Sequence, residues 1–150
     1  MIFLKIDSGL KGAPDQDLLE RAARLTLDSQ AAPDADLTLV LSDDERLRAL
    51  NRDFLDQDHP TDVLSFHAGE EDPETGRMYL GDVIISLARA EAQSSERGHP
   101  LEAELQLLVV HGVLHLLGFD HAEDDEKARM WAAQATALEQ LGLSPEDLHA

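Results

Sequence analysis

Residues 111 to 121 constrain the fold more than any other part of this sequence, because they predict a helix that ends and a chain that turns back. His111 and His115 are four positions apart and therefore project from one face of a helix. Gly118 follows where helices commonly end in a left-handed residue that glycine adopts at little cost. The returning chain can then present His121 to the same point from another direction.

This arrangement predicts a metal site with three imidazole ligands. Two ligands on a helix and one on the returning segment form a tripod whose fourth position stays open, as in catalytic zinc sites. The chain has no cysteine, so histidines and carboxylates are its only strong ligands. We predict one Zn²⁺ per chain on His111, His115 and His121, although nickel, copper or iron(II) also suits three nitrogens. The alternative is a set of buried histidines that only form hydrogen bonds.

Gly112 stands where metalloproteases with a His-Glu-x-x-His motif carry the glutamate that acts as general base. A glycine in the middle of a helix costs about 1 kcal/mol relative to alanine, so a specific reason for it is expected. Either the helix packs closely against a neighbour at this point, or the glycine leaves room beside the metal for a bulky substrate. In both cases the usual peptidase base is absent.

The order of predicted elements is typical of an α+β domain. Strands are predicted at 1–7, 37–41, 63–66 and 79–86, and helices at 15–27, 42–54, 87–97, from 100 and from 123. We expect one domain over 1–150, in which a small mixed sheet is covered by helices and the metal helix packs on the sheet. Strand 37–41 is apolar enough to be covered on both faces.

Several local features predict where individual elements begin and which side of a helix is buried. Ser42 and Glu45 form a capping box for the second helix, and residues 68–77 form an exposed turn or hairpin tip. The last helix is expected to pack through a stripe at i, i+4 and i+7, which comprises Trp131, Ala135 and Leu138.

Other polar residues are interpreted as structural or solvated. Thr61 and Asp62 are expected to form a turn before a strand, Asp120 to be an acid in a turn, and Arg48 and Arg52 to lie on a solvated helix face. The remaining histidines are expected to be isolated loop or terminal residues: His59, His67, His99 and His149.

The net charge of −19 argues against non-specific binding of nucleic acids, which needs lysine and arginine to neutralise phosphates. Any RNA substrate is therefore expected to be held locally, by the metal and a few basic side chains. No apolar run is long enough to cross a bilayer, and the first residues read as a strand and not as a signal peptide. We expect a cytoplasmic protein without a membrane partner.

These residues together resemble the YbeY-type endoribonucleases, the bacterial rRNA maturation factors. The similarity spans most of the chain. It is carried by Leu50-Asn51, by Asp58 with the block from Pro60 to Phe66, by the block from Leu80 to Ser86, by Gly98-His99, and above all by the motif from His111 to His121.

The resemblance implies a zincin-like fold with zinc on the three histidines of the motif. It also implies a metal-dependent endoribonuclease, specific for single strands, that helps to mature the 3′ end of small-subunit rRNA and takes part in ribosome quality control. The expected partners are single-stranded rRNA and the small ribosomal subunit with its proteins, and not DNA. An arginine that most family members are thought to direct at the RNA corresponds to Leu55 here.

The mechanism that follows is metal-assisted phosphodiester hydrolysis, in which the ion polarises a phosphoryl oxygen and activates a water. A 2′-hydroxyl nucleophile is the other route, and it gives a cyclic phosphate. No general base can be named from the sequence. Three other functions remain open: a metal-dependent peptidase or amidase, a non-enzymatic ribosome-assembly factor with a structural metal, and a metal-binding module with no role on RNA.

Overall fold

The computed structural model describes residues 1–7, 10, 15–55 and 61–144, and within these ranges the chain forms four strands and five helices. Their order confirms the α+β class. The elements are β1 (Ile2–Ile6), α1 (Gln16–Ser29), β2 (Ala35–Ser42), α2 (Asp44–Leu55), β3 (Val63–Glu71), β4 (Met78–Ser86), α3 (Leu87–Arg97), α4 (Leu101–Leu116) and α5 (Asp124–Gln140).

The described strands form one mixed sheet in the order β1-β2-β4-β3. β1 and β4 both run parallel to β2, whereas β3 is antiparallel to β4. β2 is covered on both faces, as predicted: Leu39 belongs to the large core with α1, α4 and α5, and Val40 packs on the other face with Leu47 of α2. The sheet therefore carries a thick helical layer on one side and α2 on the other.

α4 is the central helix of the thick layer. Residues 103–114 are all buried, which fits a helix that is apolar on nearly every side. Pro100 is the residue before the first helical turn, one position earlier than predicted, and Glu102 and Glu104 lie in that turn, where negative charge is favourable. The metal helix thus packs on the sheet, as expected.

Gly112 is explained by close packing between α4 and the sheet. A Cβ atom at this position would lie 2.5 Å from Val83 Cγ1 and 3.4 Å from Ser65 Oγ. The Ser65 hydroxyl donates a 3.0 Å hydrogen bond to the Gly112 carbonyl oxygen, which ties β3 to the helix. Of the two readings of this glycine, the structure supports the packing one, and a glutamate does not fit here.

Two local predictions are wrong in detail. Asp43, and not Ser42, caps α2: its Oδ1 accepts from the Arg46 amide at 2.7 Å, while the Ser42 hydroxyl donates to Asp7. The hairpin tip is shorter than expected, because β3 continues to Glu71 and leaves 72–77 as the turn. The sequence of 68–71 lacks an apolar alternation, but Glu70 and Glu71 pair with Tyr79 and Met78 of β4 beyond an irregularity at 68–69.

The inner face of α5 is also shifted from the predicted stripe. Met130, Gln134 and Leu138 are buried, whereas Trp131 is only half-buried. The indole packs against the edge of the core and also contacts two of the histidines, with its ring centroid 6.0 Å from that of His111 and 5.8 Å from that of His121.

His99 is not an isolated loop residue. Its Nε2 lies 2.5 Å from Glu104 Oε2, and Arg97 Nη1 lies 2.8 Å from the other oxygen of this fully buried carboxylate. A buried charge needs such partners, so the three side chains fix the turn between α3 and α4.

The part of the chain that the structure describes contains no helix long and apolar enough to cross a membrane.

Candidate metal centre

The structure brings His111, His115 and His121 together, with their ligand nitrogens all within 4.8 Å of one another. Gly118 has φ +101°, and the Phe119 amide donates to the Leu114 carbonyl oxygen at 3.0 Å. These features end α4 and turn the chain back. The two-plus-one arrangement is thus present as predicted, and the group could hold a metal ion.

Two hydrogen bonds orient the helical imidazoles toward a shared point. His111 Nδ1 donates to Gln134 Oε1 at 3.0 Å, and His115 Nδ1 donates to the Phe119 carbonyl oxygen at 2.9 Å. The two Nε2 atoms then face each other at 3.1 Å. Nitrogens on a tetrahedral zinc are about 3.3 Å apart, given Zn–N bonds of about 2.0–2.1 Å, so this donor set fits the ion.

Burial keeps these imidazoles in the neutral form that a metal requires. Desolvation lowers the pKa of His111 to about 4, against a smaller opposite effect of its bond to Gln134. Desolvation, followed by repulsion from His121, also lowers the pKa of His115. The electron pair on Nε2 of His111 therefore remains available well below neutral pH, and the lowered pKa of His115 favours its neutral form in the same way.

The depressed pKa values predict a loss of stability in mild acid. As the pH of the metal-free protein falls from about 6.5 to about 4, the unfolded chain binds protons that buried His111 does not, so the free energy of unfolding falls. Asp36, whose pKa is lowered from 3.8 to about 2 by its bond to Arg77, contributes only below this window. Melting temperatures measured from pH 7 to 4 check this, and a flat profile above pH 4.5 would contradict it.

Gln134 was not predicted as a site residue, because only the fold brings it to His111. We expect Gln134→Leu to lower zinc affinity by about 10- to 100-fold, since the ligand loses the acceptor that orients its ring. Gln134→Glu keeps an acceptor oxygen and is expected to retain most of the affinity. Competition with a chromogenic chelator measures both variants. Equal losses in the two would show that the hydrogen bond is not the cause.

The histidines lie in a cleft of two adjoining halves. The first, of about 310 Å³, is lined by Thr61, Asp62, Ser65 and His67 with the three histidines. The second, of about 330 Å³, is bordered by Asp62, Leu108, Lys127 and Trp131 with His111 and His121. Both halves border His111 and His121, the first against β3 and the second against α5.

Some of these lining residues correct the sequence interpretation. Thr61 and Asp62 precede β3 as expected, but they also border the cleft. His67 is a strand residue, and its Nε2 donates to the His115 carbonyl oxygen at 2.7 Å, which ties β3 to the end of α4. Asp120 is a turn acid, as predicted, since it accepts from the backbone amide of His121 and not from the ring.

Other predicted positions lie away from the tripod. Arg48 and Arg52 border a separate surface depression on α2 with Asp43 and Arg46. Leu55, which corresponds to the family arginine, is the last residue of α2. His59 and His149 lie outside the described residues, as do Asp58 and Pro60.

The fold and the site define a zincin-like α+β protein with a three-histidine group suited to a metal ion. A sequence model of the family described as Endoribonuclease YbeY matches residues 9–142. Among curated relatives, the Endoribonuclease YbeY of Heliobacterium modesticaldum is 40% identical over 155 residues, covering 92% of this chain and 93% of the relative. That of Pelotomaculum thermopropionicum is 42% identical over 143 residues, covering 93% and 91%.

A solved structure agrees with the sequence comparisons. The solution structure of TM1509 from Thermotoga maritima superimposes with a TM-score of 0.64 at 30% identity, covering 94% of this chain and 89% of that one. The chain therefore belongs to the YbeY endoribonuclease family.

Proposed function

We propose that this protein is a zinc-dependent endoribonuclease that cleaves single-stranded rRNA, acting in maturation of the 3′ end of small-subunit rRNA and in ribosome quality control. Residues 1–150 act as one hydrolase domain in the cytoplasm, with the small ribosomal subunit and its proteins as partners. The observation that carries the proposal is the convergence of His111, His115 and His121 in an open cleft of a YbeY-family chain.

His111, His115 and His121 would hold the ion. A zinc ion at this site would supply Lewis-acid polarisation of a phosphoryl oxygen and would activate a water for attack. Gln134 and the Phe119 carbonyl oxygen keep the Nε2 atoms of the two helical ligands directed at the ion. Because α4 is buried along most of its length, this geometry is set by the core and does not depend on the substrate.

The cleft walls position the RNA strand. Ser65 and His67 are engaged with carbonyl oxygens of α4 and hold β3 against the metal helix. Thr61 and Asp62 border the cleft beside them and offer polar groups to a ribose. The acidic character of the chain repels phosphates elsewhere on its surface and restricts productive binding to this cleft.

The peptidase alternative is disfavoured by Gly112. The glutamate that proteases place after the first histidine serves as general base, and here that position faces Val83 on the sheet at a distance that excludes any side chain. The site therefore lacks this base, and the packing of α4 leaves no space to restore it.

The test compares substrates on zinc-loaded native protein. We expect cleavage of a single-stranded rRNA fragment that spans the 3′ end of the small-subunit rRNA, much slower cleavage of the same fragment annealed to its complement, and none of a peptide library. End-group analysis separates water from 2′-hydroxyl attack, since only the latter gives a cyclic phosphate. Hydrolysis of peptides with inert RNA would overturn the proposal.

A further inference from the structure

Trp131 is the only tryptophan of a chain in which aromatic residues make up 4%. It lies on the α5 side of the cleft and is half-buried, whereas its neighbours Met130 and Gln134 are buried. The indole centroid lies 6.0 Å from that of His111 and 5.8 Å from that of His121, with the rings steeply inclined. The largest aromatic surface of the protein thus borders the metal tripod without being enclosed by the core.

Lys127 lies one helical turn before Trp131, and its ammonium is 5.7 Å from the indole centroid. Among the described residues that line the two halves of the cleft, Lys127 is the only lysine or arginine. Its side chain is exposed, so the ammonium can leave the ring for a phosphate at little cost. This single cation is notable on a chain with 31 acidic and 12 basic residues.

An aromatic face beside a cation is how proteins bind single-stranded nucleic acids without reading sequence: bases stack on the ring and the charge tracks the backbone. We infer that Trp131 and Lys127 form a nucleotide-binding subsite, in which the indole stacks on a base next to the cleaved bond and the ammonium contacts the adjoining phosphate. The inference rests on the proposed function, because it assigns the ligand of this half of the cleft as a single-stranded polynucleotide.

The subsite accounts both for a preference for single-stranded RNA and for the placement of a phosphate at the three histidines. An unpaired base is free to stack on an aromatic ring, whereas a base in a duplex is not, so the subsite favours single strands. The second half of the cleft, about 330 Å³ and lined by both side chains, adjoins His111 and His121. A base held there places its own or the neighbouring phosphate at the tripod.

Because Trp131 is the only tryptophan, its fluorescence reports whether a base occupies the subsite. Titration of the zinc-loaded protein with an uncleavable single-stranded 2′-O-methyl oligonucleotide is expected to quench the tryptophan emission to saturation. The same backbone with abasic sites carries the phosphates but no bases, and it is expected to bind more weakly and to leave the emission nearly unchanged. Saturable binding of the full oligonucleotide, seen by anisotropy of a fluorescein label, without any change in emission would overturn the inference.

Variants of Trp131 and of Lys127 test base stacking and the phosphate contact separately. Trp131→Leu is expected to raise the dissociation constant of the labelled oligonucleotide, and the KM for RNA, by roughly 5- to 100-fold, with a smaller effect on kcat. Trp131→Phe keeps a ring and is expected to recover most of that loss. Zinc content and melting temperature are measured on each variant, because the indole also packs beside two ligands. Equal KM values for the native protein and Trp131→Leu would contradict the subsite.

Lys127→Gln is expected to reduce the magnitude of the slope of log K against log salt concentration by about 0.7, as the loss of one phosphate contact does for a single strand. Lys5→Gln, on an exposed position of β1 away from the cleft, removes the same charge and serves as the matched control. Equal slopes for the two variants would show that Lys127 makes no phosphate contact.

Failure of the subsite and failure of the proposed function give different results. A native protein that cleaves single-stranded RNA, with neither quenching nor an effect of Trp131→Leu, contradicts the subsite alone. A native protein that binds the oligonucleotide with quenching but cleaves no RNA supports the subsite and overturns the enzymatic proposal. Absence of both binding and cleavage overturns both.

Discussion

Replacement of His115 by alanine is expected to abolish zinc binding and RNA cleavage together while leaving the fold intact. The imidazole is one of three ligands, and its loss is expected to reduce zinc affinity by more than the roughly 10- to 100-fold that follows loss of a group that only orients a ligand. Cleavage is expected to fall by at least about 1000-fold, because polarisation of the phosphate depends on the ion. Metal analysis after dialysis and cleavage of single-stranded rRNA measure the two effects.

The fold is expected to survive because His115 is the one histidine of α4 that reaches the partly exposed end of the helix. Its Nδ1 bond to the Phe119 carbonyl oxygen is replaceable by water there. Far-ultraviolet circular dichroism and a melting curve of the metal-free variant check this point.

Asp120→Asn is the matched control for the metal. Asp120 lies beside His121 and is exposed, and its carboxylate accepts from a backbone amide, a role that asparagine can also fill. The variant is expected to bind one zinc per chain. If it lost the metal as fully as His115→Ala, the carboxylate would be a ligand and the three-histidine site would be wrong. If His115→Ala kept native cleavage without zinc, the metal would not be required for cleavage.

Gly81→Ala is expected to destabilise the protein by about 3 kcal/mol or more. A Cβ atom at this position would lie 2.0 Å from the Phe66 carbonyl oxygen, and the backbone has φ +141°, which side chains rarely allow. Backbone strain costs about 1–3 kcal/mol and overpacking adds about 1–3 kcal/mol. For a chain of this size, 3 kcal/mol corresponds to a fall of roughly 10 °C in melting temperature. Thermal and urea unfolding of the variant measure the loss.

Gly69→Ala separates the two causes of that loss. Gly69 also has a positive φ, +62°, but nothing lies within 4 Å of its Cβ position. We expect only the backbone cost of about 1–2 kcal/mol for this variant. A Gly81→Ala protein no less stable than Gly69→Ala would show that the close approach of β3 to β4 at Phe66 is not as described.

The tripod could be predicted from the sequence because its determinants are local. The spacing of His111 and His115 fixes their shared face, and Gly118 adopts the left-handed conformation that ends the helix. The burial of both faces of β2 followed equally from the largely apolar segment 37–41. In each case the residues that determine the structure lie close together in the sequence.

The remaining contacts of the site depend on distant parts of the chain. Gln134 reaches His111 across 23 positions, and His67 reaches His115 across 48. His99 looks isolated in the sequence because nothing local shows that Glu104 is buried beside it. The position of Trp131 at the border between core and cleft has the same origin, since only the fold places the cleft beside this side of α5.

The central claim is that one metal ion sits on three imidazoles. Diffraction data collected on either side of the zinc absorption edge, from crystals of zinc-loaded protein, test it directly. We predict one anomalous peak per chain at bonding distance, about 2.0–2.1 Å, from a nitrogen of each of His111, His115 and His121. A peak elsewhere, or none with the three rings turned away from one another, would contradict the account.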